Sequence, residues 1–183
     1  IHERMNHTIY PAYTIGQPLA KAALDIACYD LVGKRRNEAV VSMLGGQQLD
    51  SVQLSWTVNS MDMAVIENQL EEGWQRGYRN FNFKVGPPQT ESYDLELARK
   101  IQAFSPDGFL WADANTGYTV EGALNTLPKL ADIGVAVLES PLPPLQISGY
   151  QALKRQGALP IFMDEGIILD SVVKEFIALE MMD

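Results

Sequence analysis

Four successive apolar segments of the chain each end in an ionisable residue. These residues are Lys84, Asp113, Glu139 and Asp164, and they follow one another at intervals of 29, 26 and 25 residues. Three carboxylates held close together repel one another unless a cation neutralises them. A set of oxygen ligands without His or Cys is typical of Mg²⁺, with Mn²⁺ or Ca²⁺ as alternatives. The pattern therefore predicts that Asp113, Glu139 and Asp164 bind a metal ion.

Lys84 offers a different chemistry from the three acids. A lysine that is partly desolvated beside a divalent cation has a lowered pKa and can act as a general base. The expected reaction is abstraction of a proton α to a carboxylate, with the metal holding the resulting enediolate. We therefore predict Lys84 as the catalytic residue.

Each of these residues also has a simpler explanation when it is considered alone. A single Asp or Glu after a strand is commonly a turn residue or a helix cap, and a strand lysine is commonly exposed. Asn115 and Glu165 could serve only as a turn residue and a helix-dipole partner. Four ionisable residues at the same end of successive strands are harder to explain in this way. The alternative of a structural barrel domain whose acids only cap turns stays open.

The elements that must position these residues alternate regularly between strand and helix. Alternation of this kind predicts parallel strands joined by crossover helices, with all carboxyl ends on one face. We expect an α/β fold, namely a partial (β/α) TIM-type barrel of about five βα units. The predicted strands are 52–58, 80–85, 109–112, 135–139 and 161–164, and the predicted helices are 61–76, 91–104, 119–132, 146–157 and 170–180.

The first part of the chain has a different pattern. An Ala-rich helix is predicted from Pro18 to about Val32, with Gly33 just beyond its end. A shorter helix over about 38–44 ends at Gly45-Gly46. We expect residues 1–46 to be the end of a capping region with the helices that lead into the barrel, and residues 47–183 to be the barrel units. One apolar face of the Ala-rich helix is expected to pack against the rest of the protein, and the small Cys28 is expected in the core. The residues of that face are Leu19, Ala23, Ile26, Ala27 and Leu31.

Composition excludes several classes of protein. The chain has 183 residues, 14 Lys and Arg against 23 Asp and Glu, and a formal net charge of −9. An acidic chain is a poor partner for nucleic acid phosphates or for anionic membrane surfaces. One cysteine rules out an intrachain disulfide and is consistent with a reducing, cytoplasmic location. His2 and His7 lie in an irregular stretch, and no catalytic role is expected for them.

Several motifs together resemble one enzyme family. The run 18–31 with Gly45-Gly46 resembles the segment that enters the barrel in the enolase superfamily, in its mandelate racemase and muconate lactonizing enzyme branch. The resemblance covers about residues 16–180, and the D-E pair favours the muconate-lactonizing type. The strand ends resemble the motifs of the branch in order. Residues 83–86 (F-K-V-G) resemble the end of its K-x-K motif, and residues 113–115 (D-A-N) resemble its D-x-N motif. Residues 139–142 (E-S-P-L) resemble its E-x-P-L motif, and residues 164–165 resemble its D-E pair.

The resemblance implies Mg²⁺ bound by Asp113, Glu139 and Asp164, with Lys84 as the base. It also implies an α/β capping domain and a modified TIM barrel. Asn82 stands where the branch has the first Lys of K-x-K, which usually lies beside the substrate carboxylate. We therefore expect Asn82, Asn115 and Glu165 to contact the substrate or the metal ligands. The branch continues beyond the position of Asp183 with a second Lys, so the chain is expected to be a piece of a larger enzyme, inactive alone.

The reaction expected from the resemblance is epimerisation or racemisation, or cycloisomerisation, of a small carboxylic acid or an amino-acid derivative. Dehydration of an acid sugar or hydroxy acid on the same scaffold is one alternative. A degenerate metal-binding barrel without catalysis is another, and Asn82 motivates it. The expected partners are a small carboxylate substrate and further copies of the intact protein, with no nucleic acid and no membrane.

Overall fold

A computed structural model describes residues 17–183 together with residues 4, 5 and 8. His2 and His7 lie outside the described residues, as does most of the first sixteen-residue stretch. The chain divides into two compact units, Ile1–Gln53 and Leu54–Asp183. No helix in the part of the chain that the structure describes is long and apolar enough to cross a membrane.

The described part of the first unit contains the helices α1 (Pro18–Arg36) and α2 (Val40–Met43). Helix α1 is longer than the sequence predicted, and the expected end near Val32 is wrong. Gly33 is a buried residue inside the helix, where a Cβ would come within 2.8 Å of the Glu38 carbonyl oxygen. The residue that ends the helix in a left-handed conformation is Asn37, with φ 50°.

The predicted apolar face of α1 is not buried in the described structure. Leu19 is 85% exposed, Ile26 69% and Leu31 51%. Ala23 and Ala27 are exposed as well, and Cys28 is half-buried rather than a core residue. Helix α2 has only four residues, so it cannot cover a face that runs the length of α1.

The second unit alternates strands and helices, as the sequence predicted. Each strand begins later or ends earlier than its predicted segment, and β3 also extends one residue further than predicted, to Asp113. The bounds are β1 Ser55–Val58, α3 Met63–Gln75, β2 Asn80–Lys84, α4 Glu91–Phe104, β3 Leu110–Asp113, α5 Val120–Ile133, β4 Val137–Glu139, α6 Ile147–Gln156, β5 Ile161–Phe162 and α7 Asp170–Ala178.

The five strands form one parallel sheet in the order β1-β2-β3-β4-β5. Sequential strands are neighbours, and each is joined to the next by a helix, which is the arrangement of a βα barrel wall. Threonine side chains cap the amino ends of two helices. Thr90 of α4 accepts a hydrogen bond from the amide of Tyr93, and Thr119 of α5 accepts one from the amide of Gly122. The expected α/β fold of parallel βα units is confirmed.

Alternation along the strands separates an apolar face from a polar face. Along β2, Phe81 and Phe83 are at most 1% exposed and belong to the core, whereas Asn80, Asn82 and Lys84 take the alternate positions. The core is completed by helix residues such as Leu97 of α4. Burial of the apolar face fixes the strand register, and that register decides which polar side chains meet at the carboxyl edge.

Candidate active site

Strand register brings three of the four predicted site residues side by side. Lys84 pairs with Asp113, and Asp113 pairs with Glu139, across three adjacent strands. Glu139 in turn pairs with Phe162, so Asp164 lies two residues beyond that level. All four residues therefore follow the carboxyl ends of parallel strands, where the sites of βα barrels lie.

Lys84 forms an ion pair with Asp113. Its Nζ donates to Asp113 Oδ2, and the side chains are 32% and 6% exposed, respectively. Asp113 Oδ1 accepts from the backbone amide of Asn115 at 2.9 Å, so both carboxylate oxygens are engaged. A buried carboxylate thus holds a lysine ammonium that solvent and small molecules can still reach.

Glu139 carries the clearest electrostatic sign of an acidic cluster. Burial raises the pKa of Glu139, and the negative charges of Asp113 and Asp164 raise it further. The positive charge of Lys84 opposes these effects only in part. Excess negative charge at this position favours an additional cation.

Asn115 and Glu165 meet across the site. Asn115 Nδ2 donates to Glu165 Oε1 at 2.9 Å, while Glu165 Oε2 is buried without a hydrogen-bond partner. Burial alone would raise the pKa of Glu165. Hydrogen bonds from Ser140 and Asn115, with help from Lys84, outweigh the burial and lower the pKa. The side chain is therefore held ionised, although one of its oxygens is buried without a partner.

Ser140 is a site residue that the sequence interpretation missed. Its side chain is fully buried, and its Oγ accepts from the backbone amides of Asp164 and Glu165 at 3.0 and 3.3 Å. The residue has φ 42°, and its carbonyl accepts from Thr116 at 2.7 Å. Ser140 thereby ties together the loops that follow β3, β4 and β5. Its place directly after Glu139 in the E-S-P-L motif was the available signal.

The acids of the site fit a hard cation in their donor chemistry. Asp113, Glu139 and Asp164 supply only carboxylate oxygens, the ligands that Mg²⁺ prefers, and their mutual repulsion is seen in the pKa of Glu139. In the described residues, however, no group of three or more Asp, Glu, His or Cys side chains is already close enough to hold a metal ion. Asp113 is instead paired with Lys84. The metal ligands therefore stay a prediction.

Asn82 lies one alternate position below Lys84 on the same strand face. It is 9% exposed, it faces Trp111 across the β2–β3 pair, and its Oδ1 accepts from Ser55 Oγ at 3.4 Å. An amide at this depth can hydrogen-bond a substrate but brings no positive charge. Among the residues of β2, Lys84 is thus the one cationic group.

A cleft of about 300 Å³ opens beside Lys84. Its lining residues come from the loops after β1, β2 and β3, and Lys84 is the one charged residue among them. The rest are amide, apolar or glycine residues, a lining suited to a small and mostly neutral group. The amide groups of the lining belong to Asn59, Gln89 and Asn115.

A parallel βα sheet with a lysine and several acids at its carboxyl edge defines a class of protein, the βα-barrel enzymes. Within that class, the family model described as "Enolase C-terminal domain-like" matches residues 65–183. The chain therefore belongs to the enolase superfamily, in its mandelate racemase and muconate lactonizing enzyme branch. The family expected from the strand-end motifs is confirmed.

Curated relatives are enzymes. An N-succinyl-L-Arg/Lys racemase of Bacillus cereus is 29% identical over the whole of this chain and 48% of its own length. A chloromuconate cycloisomerase of Cupriavidus necator is 32% identical over 83% of this chain and 41% of its own. The relatives also include a dehydratase. These are isomerases and lyases, as the sequence predicted for the family.

Solved structures agree with this assignment. A muconate lactonizing enzyme from Pseudomonas putida superposes with a TM-score of 0.76 at 26% identity, over 84% of this chain and 43% of its own. The chain spans about half the length, or less, of the relatives and structures that it matches.

Proposed function

We propose that this chain carries the base and the metal ligands of an enzyme that abstracts a proton α to a carboxylate. The observation that supports the proposal best is the pairing of Lys84 with Asp113 at the carboxyl edge, in register with Glu139. A basic side chain that is one third exposed and fixed beside an acidic cluster is suited to proton transfer. The names of the relatives cover racemisation, cycloisomerisation and dehydration.

In the proposed mechanism, Lys84 receives the α-proton at Nζ. The unprotonated amine accepts the proton and becomes an ammonium, which the neighbouring carboxylate of Asp113 stabilises. Asp113 also fixes the direction of the amine, since its other oxygen is tied to the backbone amide of Asn115. Positioning of the base is the contribution that these residues make to the rate.

Asp113, Glu139 and Asp164 are the residues that would hold Mg²⁺. When bound, the ion supplies Lewis-acid stabilisation of the negative charge that develops on the substrate carboxylate. Asn115 lines the cleft beside Lys84, and its amide is held by Glu165, which we propose as a positioning partner of Asn115. Mn²⁺ has the same ligand preferences and is the alternative ion.

We propose that the substrate is a small carboxylic acid or an N-acylated amino acid whose side group enters the cleft beside Lys84. Amide groups of Asn59, Gln89 and Asn115 line that cleft. Epimerisation or racemisation and cycloisomerisation are the favoured outcomes, since both are found among the relatives. We further propose that the intact enzyme is a cytoplasmic homo-oligomer without nucleic acid or membrane partners.

Exchange of the substrate α-proton in D₂O tests the proposal without knowledge of the final product. The intact enzyme that contains this chain is incubated with MgCl₂ and with N-succinyl-L-lysine, N-succinyl-L-arginine or chloromuconate. Proton spectra follow loss of the α-signal of the succinylated amino acids or lactone formation from chloromuconate. We expect turnover of at least one compound, abolished by EDTA and restored by Mg²⁺. Tight Mg²⁺ binding with no turnover of any compound would favour the degenerate metal-binding barrel.

A further inference from the structure

A buried acid on α4 holds the loop that follows Lys84. Asp94 has no exposed surface, and its Oδ2 accepts from the backbone amide of Gly86 at 2.8 Å and from Tyr118 Oη at 3.0 Å. Gly86 lies two residues after Lys84. The other oxygen, Oδ1, is buried and has no hydrogen-bond partner. An ionisable side chain buried at this cost calls for a specific role.

Tyr118 connects the same acid to two other strand-end loops. Its ring lies against Gly86, where a Cβ would approach ring carbon Cε1 at 3.3 Å, and Gly86 has φ +84°. The backbone amide of Tyr118 donates to the carbonyl of Pro141, two residues after Glu139. Asp94 and Tyr118 therefore link the loop of Lys84 to the loops after Asp113 and Glu139.

The spacing of buried residues along α4 is a sequence signal of this role. Asp94, Leu97, Ala98 and Ile101 share one face of α4, at spacings of three and four residues, and all four are buried. An acid on the apolar face of an amphipathic helix is uncommon unless it is paired. The pair here consists of a backbone amide and a tyrosine hydroxyl, both from strand-end loops.

We infer that Asp94 and Tyr118 are positioning residues that set the direction of Lys84 toward Asp113 and the substrate. This inference rests on the proposed function of Lys84 as the base. The two residues touch the loop but not the reacting atoms. They act by keeping the chain after β2 against the chain after β3, so that Lys84 and Asp113 stay paired.

The variants separate positioning from charge. Tyr118→Phe removes one hydrogen bond to Asp94 and keeps the ring against Gly86. Asp94→Asn keeps an acceptor oxygen for both donors, whereas Asp94→Ala removes it. Thr126→Val is the matched control, because Thr126 Oγ1 also donates to a carboxylate of α4, Glu91 Oε2, at 3.1 Å.

Two measurements are made with Mg²⁺ on the intact enzyme that contains this chain. The first is the rate of α-proton exchange of N-succinyl-L-lysine in D₂O, analysed as kcat and KM. The second is acetylation of Lys84 by acetic anhydride, read by peptide mass spectrometry relative to Lys34 in the other unit. We expect Tyr118→Phe to lower kcat about tenfold with KM within about twofold, because misplacement of a base lowers kcat.

Lys84 acetylation should rise in Tyr118→Phe and Asp94→Ala, while Asp94→Asn and Thr126→Val should match the wild type in both measurements. Equal loss in Asp94→Asn and Asp94→Ala would contradict positioning and point to charge. Wild-type exchange with no change of kcat or labelling in Tyr118→Phe would overturn the inference. If the wild type shows no exchange, the proposed function fails, and Lys84 labelling alone decides whether Asp94 and Tyr118 position the lysine.

Discussion

The proposed chemistry depends on two residues, Lys84 and Asp113, which form an ion pair. The lysine is reachable and the acid is buried, so the pair keeps a basic group in a fixed place at the site edge. Asp113 would have two roles, as partner of Lys84 and as ligand of the cation. Loss of its charge should therefore affect metal binding directly.

Asp113→Asn should weaken Mg²⁺ binding, because an amide oxygen replaces one of the carboxylates that attract the ion. We expect a loss of about tenfold or more in affinity, since a change of 1.4 kcal/mol corresponds to tenfold. Titration calorimetry with MgCl₂ provides the measurement. The control is Asp107→Asn, which removes an exposed charge before the amino end of β3. Equal affinities for the two variants would count against Asp113 as a ligand.

Residue types and spacing were sufficient to predict the neighbours at the carboxyl edge. Intervals of 25 to 29 residues match one βα unit, so Lys84, Asp113 and Glu139 come into register once the strands are parallel. Spacing could not predict that Lys84 pairs with Asp113, because that depends on side-chain direction. It also could not predict Ser140, whose role depends on a positive φ and on two backbone amides from another strand end.

Among the helices and strands, helix α4 holds strand-end loops through Asp94, and the pairing of the strands fixes their register. The connection from α4 to β3 shows how tightly this is built. A Cβ at Gly108 would lie 2.0 Å from the carbonyl oxygen of Arg79, which also accepts from Ser105 Oγ at 2.7 Å. The approach leaves no room for a side chain at position 108.

Gly108→Ala should lower the free energy of unfolding by about 1–3 kcal/mol, the usual effect of overpacking. The matched control is Gly122→Ala on α5, where the nearest atom to a new Cβ would be Thr119 Oγ1 at 3.1 Å. Urea unfolding followed by circular dichroism compares the two variants. A Gly108→Ala protein no less stable than Gly122→Ala would show that the close approach does not matter for stability.

Asp94 should also make stability depend on pH. Burial raises the pKa of Asp94, against the hydrogen bonds from Gly86 and Tyr118, which lower it. The carboxyl of Asp94 therefore binds its proton more tightly in the folded state than in the unfolded state. Its contribution to stability is present below the ordinary Asp pKa and is lost as pH rises through the raised value.

Asp94→Asn should remove this pH dependence. The unfolding free energy of the wild type minus that of the variant should fall as pH rises from about 4, the ordinary Asp value. Urea unfolding at pH 4, 5, 6 and 7 gives the comparison, with the exposed Asp132→Asn of α5 correcting for the loss of one charge. A difference that grows with pH would mean that the ionised form is the one favoured by folding.

The types of the elements were predictable because the period of the apolar residues differs between strand and helix. The predicted helices 91–104 and 119–132 lie within one residue of their observed bounds. Ends that depend on tertiary contacts were not predictable. Gly33 suggested a helix end, but it lies inside α1. The residue at this position is glycine because the close Glu38 carbonyl leaves no room for a side chain. The apolar residues of α1 showed the period of a packed face, yet period alone does not show what covers a face.

In the molecule as a whole, most of the charged side chains that the structure describes are exposed, and a few acids converge on one edge of the sheet. A cation bound there should stabilise the folded state, because the unfolded chain does not hold these acids together. At a hundredfold excess over the dissociation constant, the gain is about 2.7 kcal/mol.

Unfolding by urea with and without MgCl₂ measures this effect, with KCl added to match the ionic strength. We expect the midpoint to rise with Mg²⁺ in the wild type and to rise clearly less in Asp113→Asn, because that variant binds the ion more weakly. An equal rise in both proteins would indicate a general salt effect, and no rise in either would favour a structural barrel whose acids only cap turns.

The most direct test of Lys84 as the catalytic base compares the α-proton exchange rate of Lys84→Ala with its Mg²⁺ affinity. A general base contributes about 10²–10⁴-fold to a rate, so exchange should fall by that factor while the dissociation constant for Mg²⁺ stays close to that of the wild type. Exchange at the wild-type rate with Mg²⁺ binding intact would contradict the assignment of Lys84 as the base.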